Sequence, residues 1–296
     1  MNTAQSTADR EIVISRVLNA PPELVFDVWT DVEHISNWWG PEGFTTTTHE
    51  AAFEPGGTWH FTMHGPDGTD YPNRIMFDVL ERPSRIEYRH TGEAATADVK
   101  FNSIVTFEAV EAGTRLTMRM VFDSAEIRDR TEREYGAVEG FQQTVNRLSR
   151  QVRHAQEKRA IEAVIGRWCE TLSARDLDGL MELYAEDFVL YDAIPPYVSR
   201  GLAAYRQNWE QCLPYFPDEF GFDIREKEIE ISDGLAVVHF ILNFTSPEEN
   251  HPATQTWMRA TSCLRKTDTG WKYFHDHVSV PFNPETMAAV TDYEPN

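Results

Sequence analysis

The second half of the chain holds the residue types that do acid–base chemistry. Asp192 ends an apolar run, Phe188 to Asp192, and precedes the breaker pair Pro195-Pro196. An aspartate serves as a general base when an apolar pocket raises its basicity. His275, His277 and Ser279 alternate along the last strand-like stretch, so they share a face. A histidine opposite an aspartate relays a proton or orients a water. Each residue also has a plainer use. Aspartate readily caps a loop after a strand, and the two histidines serve equally as a structural pair. A strand His-x-His binds zinc only with a further ligand, for which His239 and Asp192 are the candidates. A lone pair is a weak signal, and no metal is expected.

The first half offers shape rather than reactivity. Trp59, Phe61 and Met63 alternate and share one strand face. If that face is concave, they line a cavity with Trp39, Phe44, Tyr71, Met76 and Phe141, which suits a flat apolar ligand. Aromatic residues fill ordinary cores just as readily. His60 and His64 fall on the opposite, solvent-facing side. No nucleophile is paired with a base and no metal constellation is visible. Binding is therefore expected over catalysis, without a cofactor.

The elements that must position these residues follow from period and punctuation. Glu11 to Leu18 reads as a strand, Pro21-Pro22-Glu23 as a helix start, and Val32 to Trp38 as a second short helix. Strands over 58–64, 71–80, 85–91, 101–110 and 114–122 are separated by Gly and Pro turns, which predicts an antiparallel meander. Tyr135, Val138, Phe141, Val145, Leu148 and Val152 then recur at steps of three and four, the stripe of a long amphipathic helix. The stripe fades into polar residues between Arg153 and Arg159 and restarts at Ile161, which places a domain boundary there. In the second half the order is reversed. Helices come first, with Asp176 capping a short one through Tyr184 and another over 202–213. Strands over 223–231, 235–244, 254–265 and 270–280 follow. Three helices and a meander suggest a bent sheet capped into a cone.

Bulk properties narrow the function. With 296 residues the chain is long for one core. Lys and Arg number 27 against 48 Asp and Glu, a formal charge of −21. That disfavours nucleic acid and anionic membranes as partners. Three scattered cysteines, Cys169, Cys212 and Cys263, argue against a disulfide framework. The first residues carry no signal-peptide pattern and no apolar run approaches a membrane span, so the cytoplasm is the expected location.

Two resemblances sharpen these expectations. Trp38-Trp39-Gly40-Pro41-Glu42-Gly43-Phe44, Pro55-Gly56-Gly57-Thr58-Trp59 and Met63-His64-Gly65-Pro66-Asp67-Gly68 resemble the activator of heat-shock protein 90 ATPase homologue family, within the START-related helix-grip superfamily. Asp176-Leu177-Asp178-Gly179, Tyr184-Ala185-Glu186-Asp187, Tyr191-Asp192, Arg200-Gly201, Trp271 and His275-Asp276-His277-Val278-Ser279 resemble the SnoaL-like and ketosteroid-isomerase branch of the nuclear-transport-factor-2-like superfamily. The implied fold class is α+β in two domains: a helix-grip domain over 10–153 and a cone-shaped α+β barrel over 157–285.

By the second resemblance Asp192 sits where relatives keep a general base, and His275, His277 and Ser279 point into the cone. Trp168 matches the relatives' oxyanion-hole tyrosine, and their protonated aspartate falls near Ser262. Losing one oxyanion donor costs about 3 kcal/mol of barrier, so steroid isomerisation is disfavoured. Arg206, Trp209, Trp257 and Arg259 are candidate rim residues, and Tyr184 joins Trp168 and Trp209 as a candidate ligand contact. The leading expectation is one small apolar ligand per domain. The runner-up is an isomerase-, cyclase- or hydratase-like enzyme using Asp192 helped by His277 and His275. A chaperone-interaction module ranks last. A homodimer through the second domain is expected.

Overall fold

The computed structural model describes residues 6–91, 100–248, 251–290 and 295. The chain is an α+β protein of two compact units, Met1–Gln156 and Glu157–Asn296.

The first unit opens with β1 (Glu11–Leu18), α1 (Pro22–Thr30) and α2 (Val32–Trp38). The strands β2 (Thr45–Ala51), β3 (Thr58–His64), β4 (Asp70–Glu81), β5 (Arg85–His90), β6 (Phe101–Val110) and β7 (Gly113–Phe122) follow. They form one seven-stranded sheet in the order β1-β7-β6-β5-β4-β3-β2. From β2 to β7 each strand pairs antiparallel with the next. The turn into β7 needs glycine. Gly113 has φ +118°, and a Cβ there would sit 2.3 Å from the Leu18 carbonyl oxygen.

The chain continues through α3 (Ala125–Tyr135) into α4 (Ala137–Ser173). Phe141, Val145, Leu148, Val152 and Ala155 of α4 belong to the buried core of the first unit. Val138 does not. It is exposed, and Tyr135 ends α3, so the buried stripe of α4 begins at Phe141. From Ile161 onward the helix serves the second core.

In the first unit two elements, β2 and α3, lie where the sequence pattern marked none. The β2 strand, Thr-Thr-Thr-Thr-His-Glu-Ala, is a polar edge strand with no apolar alternation to betray it. The α3 helix is mostly charged and is defined by its ends, a Ser124 N-cap and Gly136 in the left-handed conformation.

Arg147 of α4 fixes the loop after α2. Its guanidinium donates to the carbonyls of Asn37, Gly40 and Pro41 at 3.0, 3.0 and 2.7 Å. This anchors the Trp38-to-Phe44 segment. Arg147→Met keeps the aliphatic stem but leaves those carbonyls without their donor. It should destabilise the first unit by roughly 2 kcal/mol, read by chemical denaturation.

The second unit carries α5 (Leu177–Met181), β8 (Tyr184–Tyr191), β9 (Val198–Arg200), α6 (Leu202–Cys212), β10 (Gly221–Ser232), β11 (Leu235–Thr245), β12 (Met258–Thr267) and β13 (Gly270–Ser279). Helix α5 stops three residues before Tyr184, which begins a strand instead of ending a helix. The six-stranded sheet runs β10-β11-β12-β13-β8-β9, and β8 joins β13 in parallel. The pure meander read from the strand spacing is thus a mixed sheet. Among the described residues no helix is long and apolar enough to cross a membrane.

Candidate functional site

A cavity of about 660 Å³ opens inside the second unit. Its wall comes from the inner face of the bent sheet, including Leu190, Phe240, Leu242, Met258, Ala260 and Val278. Helices α4 and α6 close it with Trp168, Tyr205 and Trp209. Tyr215 and Ile194, both exposed, belong to the lining as well.

At one end the rings meet. Tyr184 stacks on Tyr273 at 4.9 Å between centroids and packs on Tyr205 at 4.7 Å. The Tyr184 and Tyr205 hydroxyls hydrogen-bond at 2.9 Å. Burial pushes the ionisation of Tyr184, Tyr205 and Tyr273 far up, so all three stay neutral at ordinary pH.

Asp276 lies among these tyrosines and is 8% exposed. Burial lifts its carboxyl to about 7, against the opposing pull of the Ser262 and Tyr184 hydroxyls. Its Oδ1 is buried without a hydrogen-bond partner. Nε1 of Trp209 is likewise buried without one. Two unmatched polar atoms on the wall of an apolar cavity are the groups a bound molecule can satisfy.

Asp192 also lines the cavity. Burial raises its carboxyl, opposed by the backbone N–H groups of Ile194 and Ala193. The Ile194 N–H reaches Oδ1 at 3.4 Å. Asp192 is thus a loop cap and a cavity residue at once.

Trp168, Tyr184 and Trp209, named from sequence, line the cavity as well. His275, His277 and Ser279 do not. They lie on the outer face of the sheet, where His275 Nδ1 contacts the Val189 carbonyl at 2.9 Å and its ring meets Tyr191. The reason is a β-bulge. Leu264 pairs with Tyr273 and Cys263 with His275, leaving Phe274 as one extra residue on β13. Before the bulge Tyr273 faces inward; after it Asp276, Val278 and Val280 do. The relay between Asp192 and His277 is therefore not assembled. Among the described residues no three His, Cys, Asp or Glu side chains converge to hold a metal.

Of the other rim candidates, Arg206 forms ion pairs with Asp178 and Glu210, and Arg225 stacks on Trp257 at 4.5 Å. Arg259 pairs with Ser279 on the outer face. The sequence reading passed over Asp276, Tyr205 and Tyr273. One signal for the first was present. The apolar residues Trp271 and Tyr273 are out of phase with Val278 and Val280, the trace of a one-residue bulge.

In the first unit the aromatic candidates pack on one another. Trp59 and Phe61 are fully buried and stack at 3.9 Å, and Trp39 meets Trp59 edge-on at 5.0 Å. Phe141 is buried in the same core and Met63 packs against it. Phe44 and Tyr71 pair at 5.8 Å. Met76 pairs with Thr58, so it projects from the face opposite Trp59, whose own partner is Ile75. The step from Ile75 to Phe77 is what β4 buries there, and Met76 falls between them.

Residues 19–153 match the family model described as Activator of Hsp90 ATPase homolog 1-like protein, and residues 161–283 match that of the SnoaL-like domain. The chain joins an Hsp90-activator-like half to a SnoaL-like half. No curated protein matches it. Solved structures align with one half at a time. A protein from Nitrosomonas europaea is 21% identical over 50% of this chain and 97% of that one, with a TM-score of 0.46. An NTF2-like protein of unknown function from Pseudomonas putida is 30% identical over 48% of this chain and 98% of that one, with a TM-score of 0.44. One from Arthrobacter aurescens is 24% identical over 51% and 90%, with a TM-score of 0.46. Apart from Ala289, every residue lining the cavity falls within the SnoaL-like match.

Proposed function

We propose that the SnoaL-like half binds one small, largely apolar molecule in its cavity. The observation that carries this is the 660 Å³ space itself, walled by apolar side chains yet holding the unmatched Asp276 Oδ1 and Trp209 Nε1. A volume of that size is in the range of small-molecule sites, where apolar walls supply affinity and a few polar groups fix orientation. For the Hsp90-activator-like half a ligand remains an analogy from the family. Its tryptophans are already in contact with one another.

Nile red, a neutral dye whose emission shifts to the blue in apolar surroundings, tests the reading. Micromolar uptake with one dye per chain supports it. Absence of any saturable shift overturns it.

A second reading is favoured by one feature: two carboxyls, Asp192 and Asp276, face one cavity and burial raises both. Such groups exchange protons with a carbon acid held beside them. On this reading 2-tetralone takes up deuterium next to its carbonyl faster in D₂O with the protein than without. Asp192→Asn should slow that exchange at least tenfold, followed by NMR. Equal rates with and without protein leave only binding.

A further inference from the structure

Resting on the reading of the cavity as a ligand site, we infer that its occupant is an organic cation: an apolar ammonium seated among aromatic rings with its charge against Asp276. The lining carries two carboxylic acids, Asp192 and Asp276, and among the described residues no lysine, arginine or histidine. An anionic ligand would meet two like charges and no counter-ion. A neutral hydrocarbon would leave Asp276 as it stands now, buried with an unmatched oxygen, and a neutral donor would meet that oxygen without offsetting the carboxylate's charge. A cation satisfies that oxygen and makes ionisation of the carboxyl favourable in place.

The surroundings match the same charge. Trp168, Tyr184, Tyr205, Trp209 and Tyr273 all line the cavity, and aromatic faces attract ammonium groups. The groups around Asp276 are Tyr184 of β8, Tyr205 of α6, Tyr273 of β13, and Ser262 and Cys263 of β12. Cys169 of α4 lies beyond, beside Tyr273. None is cationic, so among the described residues the carboxylate has hydroxyl neighbours and no cationic partner. The formal charge of −21 draws cations toward the protein and repels anions.

Three probes of one shape separate the possibilities. They are (2-naphthylmethyl)trimethylammonium, its uncharged carbon isostere 2-neopentylnaphthalene, and the carboxylate 2,2-dimethyl-3-(2-naphthyl)propanoate. Titration calorimetry on the full chain at pH 8 should show the cation binding at least tenfold tighter than the neutral isostere, with the carboxylate weakest. The ratio of cation to neutral affinity should fall severalfold at pH 5.5, where Asp276 takes up its proton. Asp276→Asn should lower that ratio at least fivefold at pH 8. A neutral probe that binds as well as the cation, or a carboxylate that binds better, overturns the inference and leaves the cavity reading intact. If none of the three binds, both fall.

Discussion

Asp276→Asn should make the second unit more stable at pH 8 and flatten its dependence on pH. The side chain is buried among tyrosines with, among the described residues, no cation beside it, and burial lifts its carboxyl from 3.8 to about 7. In the unfolded chain it titrates near its ordinary value. Between roughly pH 4 and pH 7 the folded form therefore holds a proton that the unfolded form has released. Stability supplied by this group is fully present below pH 4 and is lost as pH rises through 7. A shift of this size corresponds to roughly 4 kcal/mol. The carboxamide of Asn keeps the shape of the neutral acid and has no charge to bury.

Calorimetric unfolding at pH 5, 6, 7 and 8 checks the prediction. The wild-type transition should move down by on the order of 10 °C across that series, and the variant should hold nearly constant. Asp192, less buried and also raised, contributes a smaller slope of the same sign, which Asp192→Asn in the same background removes. Glu11, Asp67, Glu126 and Asp187 are held below their ordinary values by hydrogen bonds, so their windows lie at lower pH and do not overlap this one. A wild-type slope that survives Asp276→Asn would assign the proton to another group.

The sequence was most legible where one face is apolar and turns are punctuated. β1 and α2 fall on the residues their patterns mark, and the long stripe of α4 divides between two cores where polar residues interrupt it. It was least legible where structure depends on a partner strand. The order of β8 against β13 comes from a parallel pairing that no local pattern encodes. The orientation of the last strand depends on one residue, Phe274. A strict period of two carries His275, His277 and Ser279 to one face, and the bulge makes that the outer one. Asp192 could be placed beside a cavity because that placement needs only a strand end and a breaker. Asp276, between the two histidines, was hidden by the same arithmetic that promoted them. Tyr205 had no signal beyond its helix. Its role comes from meeting Tyr184 at 2.9 Å across the sheet–helix boundary.

Filling the cavity should abolish binding without unfolding the chain. Ala260 and Val278 pair directly across β12 and β13, and both point into the open space. Replacing both with tryptophan puts two indoles side by side in the middle of the cavity, where a void is present to receive them. Overpacking a filled core costs about 1–3 kcal/mol because side chains are forced off their rotamers. Here the added rings meet empty space and gain apolar contact, so the unfolding midpoint should stay level or rise. Nile red, in contrast, loses the space its own rings need. Its affinity should fall at least a hundredfold, about 2.8 kcal/mol. The control is Val13→Trp on the exposed face of β1 in the other unit, which adds the same ring outside the cavity and should leave dye binding unchanged. Dye uptake that persists in A260W/V278W at the wild-type affinity would place the dye elsewhere on the protein, and with it the case for this cavity as the binding site would end.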